Sequence, residues 1–183
     1  MKKYELTAEF IEKWGKKLFR IKALISFGSV EVGELGGYVE KEDNLAQDGN
    51  AWVYGNARVC GDAEVYGDAW VYGNAEVYGN ARVCGDAEVY GDAKVCGDAD
   101  YLLIGRIGSR FSFTTFFKNK DKGITVSCGC FLGTIAEFRA KVSDTHGNNK
   151  HAKIYNLAAD MAELQILGEE HFENLNTNKS EPF

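Results

Sequence analysis

The sequence is poor in residues that interrupt or cross-link a chain. It has one proline and three histidines among 183 residues, and no apolar run is long enough to cross a membrane. Its charged start, MKKYELTAEF, lacks the apolar segment of a secretory signal peptide. The five cysteines are not spaced as a disulfide framework. These absences predict a cytoplasmic protein without disulfide bonds.

The middle of the chain repeats one phrase of six residues. Valine recurs at every sixth position from residue 53 to 95, and the stretch AWVYGNARVCGDAEVYGDAWVYGNAEVYGN (51–80) shows the phrase most clearly. A short fixed period indicates one structural unit stacked on copies of itself. Ala and Val lie two residues apart and share one face of an extended strand, whereas Gly with Asn or Asp supplies a corner. The repeat therefore predicts alternating short strands and corners.

This phrase, V-x-G-[ND]-A-x, runs in ten units over residues 41–100 and resembles the hexapeptide repeat of left-handed parallel β-helix proteins. The resemblance implies triangular coils of three hexads each, about three coils in all. The flanking segments IGSR, CGCF and THG are similar to those of uncharacterised bacterial and phage-encoded hexapeptide-repeat proteins. Proteins with this fold include acyltransferases, carbonic-anhydrase-like enzymes and non-catalytic binding proteins, so the fold alone leaves the function open.

Four segments are predicted, and the protein as a whole is expected to be mainly β. Residues 1–40 form an N-terminal β cap in which EFIEK and KLFRIKAL indicate a hairpin, with a helix over residues 7–17 as the alternative. Residues 41–100 form the β-helix, residues 101–168 a small ββαα domain, and residues 169–183 a flexible tail. The flanking segments are expected to cap the open ends of the β-helix.

The C-terminal domain is predicted from a change in pattern after residue 100. FSFTTFFK and ITVSCGCF indicate an antiparallel hairpin. The capping box TIAE then opens a helix near Ile135, and a second helix is expected from about residue 151 to 167.

Residues eighteen apart lie on neighbouring coils if three hexads make a turn, so the variable positions form columns. Two columns alternate in charge, as opposed cross-strand pairs should, and we expect both to face solvent. They contain Arg58, Glu76 and Lys94 in one, and Glu64, Arg82 and Asp100 in the other.

The third face is aromatic. Clustered aromatic side chains on an outward surface mark interfaces, although a ladder that stiffens exposed strands is the alternative. We predict that this face joins copies of the chain into a homotrimer, as in hexapeptide-repeat relatives, or into a homodimer. The predicted interface residues are Trp52, Tyr54, Trp70, Tyr72 and Tyr90.

Negative charge is concentrated in the repeat. The chain has a net charge of −6, and residues 41–100 carry twelve acidic and four basic side chains. Such a surface repels phosphate backbones, so direct nucleic-acid binding is not expected.

A basic stretch follows the repeat and provides a candidate anion site. Guanidinium groups and hydroxyl donors in GRIGSRFSFTT are suited to bind an anion. The alternative is a basic loop paired with the acidic repeat. The candidate residues are Arg106, Ser109, Arg110, Thr114 and Thr115.

Two cysteines and two histidines form a loosely finger-like set, Cys128, Cys130, His146 and His151. Cys128 and Cys130 are expected to project from one side of a strand. The alternative to a zinc site is that both cysteines pack under the helices, and the tight C-x-C spacing favours this alternative. We therefore predict no metal and no other cofactor.

No histidine occurs within residues 41–100. The resemblance implies a histidine base on the coils in acyltransferases, and three histidines for zinc in the carbonic-anhydrase relatives. The sequence thus favours a non-catalytic binding protein over an acyltransferase that uses acyl-coenzyme A. Its expected partner is a protein or an anionic small molecule. The phage resemblance suggests a host-defence component or a signal nucleotide.

Overall fold

The six-residue phrase folds as short parallel strands stacked eighteen residues apart. In the computed structural model, which describes residues 1–169, Val53 pairs with Val71 and Val71 with Val89. This confirms a mainly β protein with a β-solenoid of about three turns. The strands of the first unit, Met1–Asp98, are β1 Tyr4–Lys13, β2 Lys16–Ala23, β3 Leu35–Val39, β4 Trp52–Val53, β5 Arg58–Val59, β6 Glu64–Val65, β7 Trp70–Val71, β8 Glu76–Val77, β9 Arg82–Val83, β10 Glu88–Val89 and β11 Lys94–Val95.

The constant alanines and valines form the interior of the solenoid. Each Ala of the phrase from 51 to 93, and each Val from 53 to 95, is at most 1% exposed. Backbone amides donate to carbonyl oxygens of the next coil, as from Trp52 to Ala69 at 3.0 Å and from Tyr54 to Val71 at 2.8 Å. The repeated interior positions therefore hold small and β-branched side chains, which pack well between these closely spaced backbones.

The sequence predicted that the β-helix begins at residue 41, but parallel stacking begins earlier, in β3. Val39 of β3 pairs with Val59, and Leu45 takes the valine position opposite Val65. Each of these two residues lies twenty positions before its partner, because the corner between Leu45 and Val53 is two residues longer than the others. The Gly-rich segment that leads from the hairpin to residue 41, predicted as part of the cap, thus belongs to the first coil.

The N-terminal segment forms the predicted hairpin, so the helical alternative over residues 7–17 is wrong. β1 and β2 pair antiparallel around a turn at Trp14-Gly15. The hairpin continues one face of the solenoid, giving a sheet of order β1-β2-β3-β5-β8-β11.

The hairpin also covers part of the face that was expected to be solvated. Leu18 of β2 packs with Tyr38 and Cys60, which lie on this face of the solenoid. Glu76 is only 8% exposed, and Lys13 donates to its carboxylate at 2.5 Å. The prediction that this column faces solvent is therefore wrong for Glu76, whereas Arg58 is half-buried and Lys94 is exposed. In the other charged column Arg82 lies 3.8 Å from Glu64 and both side chains are exposed, but Asp100 is only 7% exposed, so the prediction that it faces solvent is wrong.

Side chains from the start of the chain close the first coil. Lys3 is 1% exposed, and its Nζ donates to two carbonyl oxygens of the longer corner at 3.1 and 2.9 Å. Tyr4 and Phe27 pack edge-on against the fully buried ring of Trp52, at ring-centroid distances of 6.2 and 5.3 Å. The cap therefore satisfies the exposed backbone carbonyls and covers the apolar end of the coil.

The described part of the second unit, Ala99–Phe183, is a four-stranded antiparallel sheet with two helices. The predicted hairpin and both helices are present, but the first and last strands were not predicted. Residues 170–183, most of the predicted tail, lie outside the described residues. The elements are β12 Tyr101–Ile107, β13 Ser112–Lys118, β14 Ile124–Cys128, β15 Phe131–Thr134, α1 Ile135–His146 and α2 Lys150–Leu167.

The helices of the second unit begin at local capping signals and pack on the sheet. Thr134 and Glu137 form the expected capping box at the start of α1. Phe138 of α1 and Tyr155 of α2 share a buried cluster with Phe116 of β13. This packing brings α1 and α2 over one face of the sheet.

Two corner glycines provide a matched test of coil stacking. Gly79 and Gly91 have left-handed φ values of +66° and +69°. A Cβ at Gly79 would collide with the carbonyl oxygen of Cys96 on the next coil, whereas a Cβ at Gly91 meets nothing within 4 Å. Gly91→Ala should lower the unfolding free energy by about 1–2 kcal/mol through φ strain alone, and Gly79→Ala should lower it more. Equal losses in urea denaturation would contradict the coil-to-coil contact.

Lys3 makes stability depend on pH. Burial lowers the pKa of Lys3 to about 8, although the nearby Asp48 carboxylate acts in the opposite direction. The unfolded chain should titrate this group near its ordinary pKa of about 10.4. Between these values the unfolded state holds more protons, so the stability of the wild type should rise with pH relative to Lys3→Met. Urea unfolding of both proteins from about pH 7 to about pH 10 measures this, and a constant difference between them would contradict burial of the ammonium group.

Candidate ligand-binding pocket

A pocket of about 200 Å³ opens on the second unit. The β12–β13 turn and the β14–β15 turn supply one side, and α1 with Tyr155 of α2 supplies the other. Both turns lie at the same end of the antiparallel sheet, so their side chains converge there. The pocket is smaller than the roughly 300–1,000 Å³ usual for sites of drug-sized ligands.

Aromatic rings form much of the pocket wall. Phe138 lies edge-on to Tyr155 at a ring-centroid distance of 5.6 Å, and Phe131 is also 5.6 Å from Phe138. The ring of His146 stacks on Tyr155 at 5.7 Å with an interplanar angle of 28°. The wall therefore offers flat apolar surfaces to a ligand.

Two cations, Arg110 and Lys141, line the same pocket and are exposed. Within residues 1–169, neither has a carboxylate at ion-pair distance. Arg139, two residues before Lys141, is instead paired with Asp160 and Glu163 at 2.7 Å each. Arg139 thus joins the helices, whereas the two pocket cations are available to a ligand.

The Tyr155 hydroxyl organises the base of the pocket. The Cys128 thiol and the backbone of Ser109 lie beside it and both affect its pKa. Burial is the main cause that raises the pKa of Tyr155, the neighbouring Cys128 raises it further, and Arg110 acts in the opposite direction. Gly108 has a φ of +72°, and a Cβ at this position would collide with the hydroxyl. The glycine therefore leaves the space that the tyrosine needs.

Only some residues of the predicted anion site line the pocket. Ser109 and Arg110 line the pocket, whereas Arg106 is exposed on β12 away from the pocket lining. Thr114 and Thr115 are only 0% and 3% exposed. They lie in β13, between β12 and β14, and cannot reach a ligand in the pocket. The prediction that both threonines bind the anion is therefore wrong.

Lys141 and His146 belong to the pocket but were not predicted as part of the anion site. They share one face of α1 with Phe138, Val142 and Thr145, and all five residues line the pocket. The spacing i, i+3, i+4, i+7 and i+8 is a helical stripe. In the sequence, the sign that Lys141 and His146 could belong to a site was their position on an otherwise largely apolar helical stripe.

The C-x-C segment is not one strand. Cys128 ends β14 and pairs with Phe131, while Gly129, with a φ of +60°, and Cys130 form the turn between them. The prediction that both cysteines project from one side of a strand is therefore wrong. Cys128, Cys130 and His146 line the pocket, and the His151 ring lies 5.8 Å from that of His146. Over residues 1–169, no three His, Cys, Asp or Glu side chains are grouped so that they could hold a metal ion.

The aromatic face of the solenoid is smaller than predicted. Trp52 is fully buried under the N-terminal cap, so its prediction as an interface residue is wrong. The other four residues remain on the surface. Tyr54 is 44% exposed, Trp70 is half-buried, and Tyr72 stacks on Tyr90 with ring centroids 4.4 Å apart. A groove of about 220 Å³ runs between Tyr54, Trp70 and Tyr72.

Comparison of the chain with protein-family models and with curated proteins finds no match. None of the helices in the described part of the chain has the length and apolar character needed to span a membrane. Fold and pocket together define a β-solenoid protein with an appended α+β unit.

Proposed function

We propose that the protein is a non-catalytic binding protein whose C-terminal pocket holds a small anion bearing an aromatic or apolar group. One observation carries the proposal: Arg110 and Lys141, which have no carboxylate partner within residues 1–169, line a pocket walled by aromatic rings. A guanidinium can bind a carboxylate or phosphate in bidentate fashion. Ser109 and Ser112, which also line the pocket, supply hydroxyl donors.

The pocket volume limits the ligand. About 200 Å³ accommodates a fragment-sized molecule, or the end of a larger one that extends into solvent. Burial of a ring against the apolar wall makes the binding free energy more favourable. The two cations offset the free-energy cost of removing a negative group from water. A nucleotide combines these two features, which agrees with the signal-nucleotide partner suggested by the resemblance to phage-encoded proteins with left-handed β-helices.

The absence of histidine within residues 41–100 supports binding rather than acyl transfer. A coil-borne general base has no candidate of the usual residue type there. The solenoid then serves as a scaffold for the appended unit. Binding of coenzyme A would indicate acyl transfer, so coenzyme A is included among the ligands to be screened.

Arg110→Ala should abolish ligand binding, while Arg106→Ala provides a matched control outside the pocket. We would screen coenzyme A, acetyl-coenzyme A, nucleotides and aromatic carboxylates by thermal shift. A ligand at a hundred times its Kd adds about 2.7 kcal/mol, which raises Tm by roughly 5–10 °C for a chain of this size. Loss of the shift in Arg110→Ala alone, with an unchanged ligand-free Tm, is expected.

Three results of the same screen would count against this proposal. Equal loss in Arg106→Ala would show that the binding is not confined to the pocket. A panel without any shift would contradict an anion site. A shift produced only by coenzyme A compounds would favour acyl transfer.

We further propose that copies of the chain associate through the remaining aromatic face, as a homotrimer. Trp70→Glu would place an unpaired charge in that contact and should dissociate it. Arg82→Ala, on another face of the solenoid, is the control and should keep the full mass. Light scattering at micromolar concentration distinguishes these outcomes. A monomeric wild type, or a Trp70→Glu variant of unchanged mass, would refute self-association through this face, and a dimer would correct the stoichiometry.

A further inference from the structure

A second cleft lies at the tip of the N-terminal hairpin, within the first unit. Its volume is about 420 Å³, compared with about 200 Å³ for the C-terminal pocket. The rings of Trp14 and Tyr78 line it, with centroids 6.0 Å apart, and so do the corner glycines Gly61 and Gly79. The overhanging hairpin turn thus converts an outward face of the solenoid into a concave site.

Trp14 occupies an unfavourable backbone conformation in the hairpin turn. Its φ is +53°, in the left-handed region, and Gly15 follows with a φ of +72°. Two-residue turns of this kind favour Asn or Gly at the first position, because a bulky side chain is strained there. Burial does not explain the tryptophan, since its side chain is 50% exposed. The ring is contacted on the protein side by Tyr78 and by the Lys13 Nζ, 4.6 Å from its centroid. Strained backbone conformations cluster at active sites and ligand clamps, so this conformation directs attention to the cleft.

The charges around the cleft are unbalanced. Glu76 lies near three cations, with Lys13 at 2.5 Å, Arg58 at 3.5 Å and Lys94 at 3.7 Å. Only Lys13 is close enough for a hydrogen bond. One carboxylate compensates one positive charge, so two remain in excess. This excess stands out in residues 41–100, which have twelve acidic and four basic side chains.

The other charged groups at the cleft are already paired. Lys16 binds Glu40 at 2.8 Å, and Asp62 binds Lys41 at 3.1 Å. The Asp62 side chain is 86% exposed, so water screens its charge. Lys94 lines the cleft, its side chain is 46% exposed, and it makes no hydrogen bond to Glu76. It is therefore the cation best placed to pair with a ligand.

We propose that this cleft binds a planar aromatic anion, with its ring against Trp14 and Tyr78 and its negative group paired with Lys94. The positive excess disfavours an organic cation, and the aromatic wall disfavours a small inorganic anion. All the residues involved belong to the first unit. The proposal for this cleft is therefore independent of the proposal for the C-terminal pocket.

Fluorine NMR of protein labelled with fluorotryptophan can report on this site alone. The three tryptophans are Trp14 at the cleft, Trp52 under the cap and Trp70 on the aromatic face, and residues 99–183 contain none. The probe is naphthoate. Naphthylmethylammonium keeps the ring and reverses the charge, and cyclohexanecarboxylate keeps the charge without an aromatic ring. Naphthoate should move the Trp14 resonance saturably and leave Trp52 unchanged, and both analogues should bind about tenfold more weakly.

Two variants separate binding from folding. Lys94→Ala should weaken naphthoate binding about tenfold, whereas Arg82→Ala, on another face, should not. Asn tolerates the left-handed φ, so Trp14→Asn should keep a wild-type Tm within a few degrees yet lose binding. Naphthoate binding is measured by calorimetry in proteins that also carry Arg110→Ala, so that the C-terminal pocket does not contribute to the measured affinity.

A Trp14 resonance that does not move, equal binding of the cationic analogue, or unchanged affinity in Lys94→Ala would overturn the proposal. A Trp14→Asn variant that still binds naphthoate in the Arg110→Ala background would also overturn it. None of these results bears on the C-terminal pocket, which the thermal-shift comparison of Arg110→Ala with Arg106→Ala tests independently when both are made in a Trp14→Asn background.

Discussion

Backbone hydrogen bonds between residues on successive coils hold the solenoid together, and the composition of the repeat follows from them. The amides of Trp52, Tyr54 and Arg58 donate to carbonyl oxygens on the next coil at 2.8–3.0 Å. This spacing favours compact side chains such as Ala and Val inside the coils. At corners such as Gly79, it places the next backbone where a Cβ would be. The sixth residue of the phrase points outward, so it varies without disturbing the stack.

Local patterns predicted most of the fold, and long-range contacts account for the errors. The six-residue period and the capping box at Thr134 each act within one turn or coil, and both appear as expected. Trp52 and Trp70 occupy the same position of the phrase, yet only Trp52 is buried, because Phe27 of the cap covers it. Lys13 and Glu76 are 63 residues apart in sequence, so their contact has no local signal. The pocket cation Lys141 was missed for the same reason, since it is brought to Arg110 only by the packing of α1 on the sheet.

Both proposed sites use the same chemistry on different scaffolds. Each combines aromatic rings with a cation that is not fully compensated: Arg110 in the C-terminal pocket and Lys94 in the hairpin cleft. A ring gains from burial against such walls, and a negative group gains from the cation only because the apolar surroundings weaken competition from water. Neither site depends on a nucleophile or a proton transfer. Both proposals are therefore proposals of recognition.

We propose that the C-terminal pocket is the principal binding site and that the coils are its scaffold. Backbone amide NMR of the Trp14→Asn variant, in which the hairpin cleft should no longer bind, tests this proposal residue by residue during titration with benzoate. Saturable shift changes are expected in residues 109–112, 128–131 and 141–146, and none among the buried Ala and Val amides of the repeat. Absence of change in those three segments, or changes spread over the inner repeat positions, would contradict it.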